Sequence, residues 1–278
     1  MRRLLLLLPL LAACHGHSAS EPTRISRNAP IQAGNWLRVR DLSGNVKIEP
    51  ATGSNVEIVG VKRWNKGNPD DVRFQVVSSG GDVTVCAVWN DGRCDKNSTS
   101  GRRHFFRLPT WGFWRHTNTD VSADFVIRVP DGVKIDVQDV NGDVDVRGAT
   151  SDVVAKTVNG DVHTSSTGGA LRAATVTGNV TAHMDSLSES GGDIRLETVT
   201  GNVVAELPAA LNAELDARTV TGGLQSDYTL QASGRINPQH VRARIGTGSR
   251  HLRISTVTGD VALRRAQPAA APAAIVAP

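Results

Sequence analysis

The stretch Thr175-Val-Thr-Gly-Asn-Val180 returns as Thr198-Val-Thr-Gly-Asn-Val203 and, with one change, as Thr256-Val-Thr-Gly-Asp-Val261. Looser copies are Asp139-Val-Asn-Gly-Asp-Val144, Thr157-Val-Asn-Gly-Asp-Val162 and Thr219-Val-Thr-Gly-Gly-Leu224. Their glycines, Gly142, Gly160, Gly178, Gly201, Gly222 and Gly259, stand 18, 18, 23, 21 and 37 residues apart. A fixed period near 20 means one small unit stacked on copies of itself, the sequence signature of a solenoid. The last interval reads as about two unit periods.

Around the phrase the pattern alternates with period two: Val144 and Val146 against Asp143, Asp145 and Arg147, then Leu252 and Ile254 against Arg253 and Ser255. Such alternation marks strands with one buried and one wet face. Each unit holds a second strand after a turn, as in Gly168-Gly-Ala-Leu-Arg-Ala173 and Gly191-Gly-Asp-Ile-Arg-Leu196. A coil is therefore strand, turn, strand, turn. No aromatic occurs between Phe125 and Tyr228, so the repeat core has to be filled by Val, Leu, Ile and Ala, which suits a narrow interior. The phrase itself reads as a bend. Glycine permits a sharp turn, and Asn or Asp favours turn conformations and can bond its own backbone. Parity puts Val158, Gly160 and Val162 inward and Thr157, Asn159 and Asp161 outward. Stacking places Asp143, Asp161, Asn179 and Asn202 in one column.

The ends of the chain differ in composition. Residues 1–13 read as a lipoprotein signal peptide, removed on export: Arg2 and Arg3 precede an apolar run from Leu4 to Leu11, too short to cross a bilayer as a helix. The run ends in Leu11-Ala-Ala-Cys14, which resembles a bacterial lipobox; that resemblance implies lipidation of Cys14 and attachment to a membrane. His15 after the cysteine favours the outer membrane, or otherwise its periplasmic face, in a Gram-negative host. Residues 14–28 read as a polar tether and 266–278 as a disordered Ala/Pro tail. Residues 29–265 form the repeat domain, with an insert at about 95–120.

An exported chain meets an oxidising compartment, so Cys86 and Cys94 are expected to pair across the Asp91-Gly92 turn signal. The net charge of +4 falls to +2 without Arg2 and Arg3, a surplus too diffuse for a nucleic-acid partner.

Upstream, Val126-Ile-Arg-Val-Pro-Asp-Gly-Val133 precedes Asn141-Gly-Asp-Val144 and the repeated Val-Thr-Gly-Asn-Val. In that order these motifs resemble the bacterial putative-adhesin family of β-strand-repeat proteins, a domain of unknown function, over about residues 35–265. The resemblance implies an all-β, right-handed parallel β-solenoid (β-helix-like) with coils of about 18–23 residues. It also implies an envelope location and brings no catalytic residues.

The most unusual local stretch is Arg102–His116, holding five of the eleven aromatics among Arg and His. It reads either as a flap shielding strand edges or as a binding surface. Arg107, Trp111, Trp114 and Arg115 are the candidate ligand contacts. The outward Asp/Asn column offers calcium or glycosidase chemistry in principle, but turn formation already accounts for it. No Gly-x-Ser-x-Gly, His-Glu-x-x-His or P-loop pattern occurs. The expectation is a non-enzymatic envelope lipoprotein without cofactor or metal, binding envelope proteins or glycans. The alternative is a carbohydrate-binding or carbohydrate-active β-helix protein.

Overall fold

The computed structural model describes residues 23–90, 92–96, 120–187, 192–232, 237 and 239–266. The chain enters as β1 (Arg24–Pro30), crosses as β2 (Trp36–Arg40), returns as β3 (Val46–Pro50) and runs back along β4 (Asn55–Arg63). A 3₁₀ turn at Pro69–Asp71 leads into β5 (Val72–Ser79) and β6 (Asp82–Trp89), followed by β7 (Ser122–Val129) and β8 (Lys134–Gln138). Regular coils then alternate through β9 (Val144–Ala149), β10 (Val153–Lys156), β11 (Val162–Ser166), β12 (Leu171–Ala174), β13 (Val180–Met184), β14 (Ile194–Glu197), β15 (Val203–Leu207) and β16 (Ala213–Arg218). The last strands are β17 (Leu224–Ser226), β18 (Gln231–Ala232), β19 (His240–Ile245), β20 (His251–Ser255) and β21 (Val261–Arg265). Among the described residues there is no α-helix.

The strands build two sheets, ordered β1-β4-β7-β3-β9-β11-β13-β15-β21-β17 and β18-β19-β16-β20-β14-β12-β10-β8-β2-β6-β5. Their middle portions are parallel and in register, so equivalent residues stack: Val144, Val162, Val180, Val203 and Val261 in the first sheet, Ile135, Val153, Leu171, Ile194 and Leu252 in the second. All ten are buried, and the interior between the sheets is aliphatic, as the missing aromatics required. The β-solenoid is thus borne out.

Two expectations need correction. The first concerns coil order. Stacking does not follow the chain at either end: coil β2–β3 lies between β6–β7 and β8–β9, and coil β20–β21 lies between β14–β15 and β16–β17. Gly259 therefore sits between Gly201 and Gly222, and the 37-residue interval is a doubling back through β18 and β19 rather than two forward periods. The first and last full coils are hydrogen-bonded on both edges as a result. At one end both sheets finish in antiparallel pairs, β1 with β4 and β5 with β6; at the other the second sheet finishes antiparallel, β16 with β19 and β18 with β19, while the first ends in the short parallel strand β17.

The second correction concerns parity at the bend. Thr157, Thr175, Thr198, Thr219 and Thr256 are buried, whereas Val176, Val199, Val220 and Val257 are among the exposed large hydrophobic residues. Inward residues before the bend are Val153, Ala155 and Thr157, and after it Val162, Thr164 and Ser166, so the corner shifts the alternation by one. The shift is possible because the bend glycines take up the irregular backbone, with φ of +144° at Gly160 and +142° at Gly178.

Two sets of bonds join successive corners. Each inward threonine hydroxyl donates to the glycine carbonyl of the adjoining coil: Thr157 to Gly142 at 3.0 Å, and Thr175 to Gly160, Thr198 to Gly178, Thr256 to Gly201 and Thr219 to Gly259 at 2.9 Å each. Each Asx side chain accepts from the backbone N–H of the equivalent residue one coil on. The series runs from Asn45 to Asp143 (3.0 Å) and Asp143 to Asp161 (2.8 Å), through Asp161 to Asn179 (2.7 Å) and Asn179 to Asn202 (2.9 Å), and on from Asn202 to Asp260 and Asp260 to Gly223 (2.8 Å each). The Asp/Asn column thus exists, but its oxygens bond the next coil and not their own backbone.

A Cβ on Gly178 would fall on the Gly160 carbonyl oxygen, at a φ that disfavours side chains. Gly178→Ala is therefore expected to cost about 3 kcal/mol in chemical denaturation, combining backbone strain with overpacking. Gly168, whose Cβ would meet only Thr150 O at 3.8 Å, is the control: Gly168→Ala is expected to change stability by less than about 1 kcal/mol.

Candidate functional site

Cys86 and Cys94 are joined by a disulfide with their Cα atoms 5.6 Å apart. Asn90 turns the chain with φ of +51°, and the Gly92 N–H donates to Trp89 O at 3.1 Å. The turn forms as the sequence suggested, although Asp91 itself lies outside the described residues and residues 92–96 make no strand. The buried Arg40 guanidinium fixes the same segment by donating to Lys96 O at 2.8 Å, to Asp136 O at 2.8 Å and to the Asp136 carboxylate. On the far side of the insert, Asp120 accepts from the Lys66 N–H at 2.7 Å. Both roots of the insert are thus tied to the solenoid. Arg107, Trp111, Trp114 and Arg115, and the lipidation candidate Cys14, lie outside the described residues.

Three lengthwise features stand on the described surface. At the corner, Leu42, Val140, Val158, Val176, Val199, Val257 and Val220 follow one another coil by coil, and five of them are between 37% and 67% exposed. Six spacings of about 4.8 Å give an apolar ridge about 29 Å long. The outer face of the first sheet is laced with ion pairs: Lys47 with Glu49, Arg128 with Glu49 and Glu57, Arg147 with Asp145, and His183 with Glu206 and Asp185.

The second sheet differs. Its parallel register puts Arg172 on β12 beside Arg195 on β14, and Arg195 beside Arg253 on β20. Asp216 on β16 comes next, and then Arg242 on β19. The Arg172 and Arg253 side chains make no hydrogen bond or ion pair with any described residue. Arg195 reaches Glu197 at 2.8 Å, with the arginine side chain 46% exposed. Asp216 is already held by Arg218 at 2.9 Å and His240 at 3.0 Å, with Arg242 further off at 4.0 Å. Flanking rows supply Asp193, Glu214, Arg244 and His251, and the whole lines an open cleft of about 470 Å³. Five arginines against three acids leave it positive. Sequence reading missed this cleft because its arginines are far apart in the chain and each looks like an ordinary outward strand residue.

The third feature is internal. Asp41 and Asp139 occupy the corner position that threonine fills in the other coils, and both are buried. Their backbone segments are adjacent, with the Asp41 N–H bonded to Gln138 O at 3.0 Å and Ser43 bridged to Asn141. One oxygen of each, Asp41 Oδ2 and Asp139 Oδ1, has no hydrogen-bond partner. Burial raises the Asp41 pKa well above the ordinary carboxylate range, with the neighbouring Asp139 and Asp124 charges adding to it. Burial likewise pushes Asp139 up to about 7, with Asp143 facing it and the Val140 N–H and Thr157 hydroxyl opposing. Among the described residues, no group of three or more His, Cys, Asp or Glu is placed to hold a metal ion.

The fold and these faces define a β-solenoid scaffold that presents long surfaces. The chain belongs to the Toastrack DUF4097 family, whose model matches residues 30–264. Among curated proteins none matches. Two solved structures are similar over most of their length. One is described as a putative cell adhesion protein from Clostridium sporogenes, at 9% identity, covering 87% of this chain and 99% of that one with a TM-score of 0.48. The other is described as a putative adhesin from Bacteroides fragilis, at 12% identity, covering 86% and 96% with a TM-score of 0.26.

The buried carboxyls give a signed pH prediction. In the unfolded chain they ionise near pH 3.9, whereas the fold holds the Asp139 proton up to about 7. Their contribution to stability is therefore greatest below about pH 4 and is lost as pH rises to 7. Asp139→Thr restores the hydroxyl of the other coils and removes the share of that dependence that comes from Asp139. It is expected to stabilise by roughly 2 kcal/mol at pH 8 and hardly at all at pH 4, measured by urea denaturation at both values. An equal gain at the two pH values would show that the buried carboxyl is not its source.

Proposed function

We propose that this chain is a non-enzymatic interaction module, held at the cell envelope by lipid on Cys14 and contacting an envelope protein or glycan through its sheet surfaces. Membership of the Toastrack DUF4097 family supports an interaction role. The observation that carries the reading is the exposed arginine row. Arg172, Arg195 and Arg253 lie side by side on neighbouring strands, where like charges repel. The scaffold does not require them, because the same row holds Val154 and Asp136 on the neighbouring strands. Residues retained at a cost to the fold point outward, to a ligand. The Cys86–Cys94 disulfide supports an oxidising compartment. The Asp/Asn column weighs against the carbohydrate-active alternative, because its oxygens hold backbone N–H groups of adjoining coils.

The anchor is tested by Cys14→Ala, expected to move the protein from the membrane to the soluble fraction and to abolish acyl labelling. Unchanged fractionation would remove the lipid from the account. Incubation of the full chain with envelope polysaccharides is expected to release no new reducing ends. Their appearance would establish the enzymatic alternative.

A further inference from the structure

We propose that the cleft over β12, β14, β20, β16 and β19 binds a carboxylated, linear polysaccharide, with Arg172, Arg195 and Arg253 pairing successive carboxylates along the solenoid axis. The proposal rests on the interaction-module reading and names the ligand class of its surface.

Three features lead there. The arginines project from strands about 4.8 Å apart, so charge recurs along a line. From Arg172 to Arg242 that line crosses five hydrogen-bonded strands, a length of about 19 Å. The in-register backbone holds their Cα positions, so a polymer with regularly spaced anions can engage them together without reordering the sheet. Guanidinium groups donate to carboxylates in two-point, charge-assisted contacts, stronger than neutral hydrogen bonds. With Arg172 and Arg253 unpaired among the described residues, little has to be broken first.

The acids decide between kinds of polyanion. Asp193, Glu214 and Asp216 line the same cleft. Against a nucleic acid or polyphosphate, whose facing groups are anionic oxygens, they would repel. Against a uronate-type sugar they accept hydrogen bonds from hydroxyls lying between the carboxylates. Three adjacent arginines thus match a run of carboxylates, and the acids beside and beyond them match hydroxyls of the same polymer. A single-stranded nucleic acid would also call for aromatic stacking platforms, and among the described residues no aromatic lines the cleft. Its volume, about 470 Å³, falls in the range of ligand sites.

The test measures binding of the full chain to polygalacturonate at 0.15 M salt, beside its methyl ester, polyphosphate and neutral dextran. Polygalacturonate is expected to bind, with the ester, polyphosphate and dextran each at least about tenfold weaker. The triple variant Arg172→Gln/Arg195→Gln/Arg253→Gln, with unchanged circular dichroism, is expected to lose at least tenfold in affinity. Arg24→Gln/Arg27→Gln/Arg264→Gln, which removes equal charge from exposed positions elsewhere, is expected to stay within twofold of the wild type. If the triple variant misfolds, Arg172→Gln and Arg253→Gln are measured singly, each expected to weaken binding severalfold. Absence of wild-type binding, unchanged binding in the cleft variants, or equal binding of polyphosphate overturns the proposal. None of these results touches the Cys14→Ala fractionation, so failure here remains distinct from failure of the envelope assignment.

Discussion

Adjoining coils are locked at their corners by two bonds per step: a threonine hydroxyl to a glycine carbonyl inside, and an Asx oxygen to a backbone N–H outside. At a bend the chain leaves strand geometry, and its polar backbone groups would otherwise lose their ladder partners. Backbone bonds such as Gly160 N–H to Thr177 O at 2.9 Å carry part of the ladder through the bend, and the Thr and Asx side chains satisfy further groups there. Because each bond runs between fixed positions of neighbouring coils, it also fixes register, and register places every side chain on the two sheets. The stacked valines of the core and the arginine row outside both depend on that lock.

The same lock explains what a corner tolerates. Glycine is needed where the next carbonyl passes beneath its Cα. Threonine is favoured because it fills a buried site and donates one hydrogen bond. Asp41 and Asp139 break that pattern, placing two acids where a hydroxyl serves, and burial keeps them protonated well above the usual range. They stand toward the end of the stack where regular coils give way to antiparallel strands and Phe74 packs against Phe125 at 5.4 Å. At the other end Tyr228 is buried, its hydroxyl bonded to Leu207 O at 2.6 Å. The ends are thus filled by larger residues, while the regular coils use aliphatic ones.

The two sheet faces diverge in charge. The first carries several acid–base pairs, among them Arg128 with Glu49 and Glu57 and His183 with Glu206, beside exposed arginines such as Arg24 and Arg264. The second gathers arginines in one row and leaves two without partners among the described residues. The corner between the sheets carries the apolar ridge of leucine and valines. Contact surfaces on this protein are consequently lengthwise strips rather than a pocket, which follows from stacking: any outward position becomes a column.

The sequence by itself determined the β-solenoid, its strand-turn-strand coils, its aliphatic core and the pairing of Cys86 with Cys94. Those properties are local or periodic: the spacing of Gly, Val and Asx residues states the first three, and the disulfide follows from two cysteines across a turn signal in an exported chain. Parity at the corner was misread because strict alternation was carried through a glycine bend, which does not keep it. The order of the coils was hidden as well, since Gly222 and Gly259 show a long interval but not that the chain doubles back. Only the tertiary structure set Arg172, Arg195 and Arg253 side by side, across separations of 23 and 58 residues. The physical reason is that alignment between coils is fixed by hydrogen bonds from one coil to another, and the second coil can be distant in the chain.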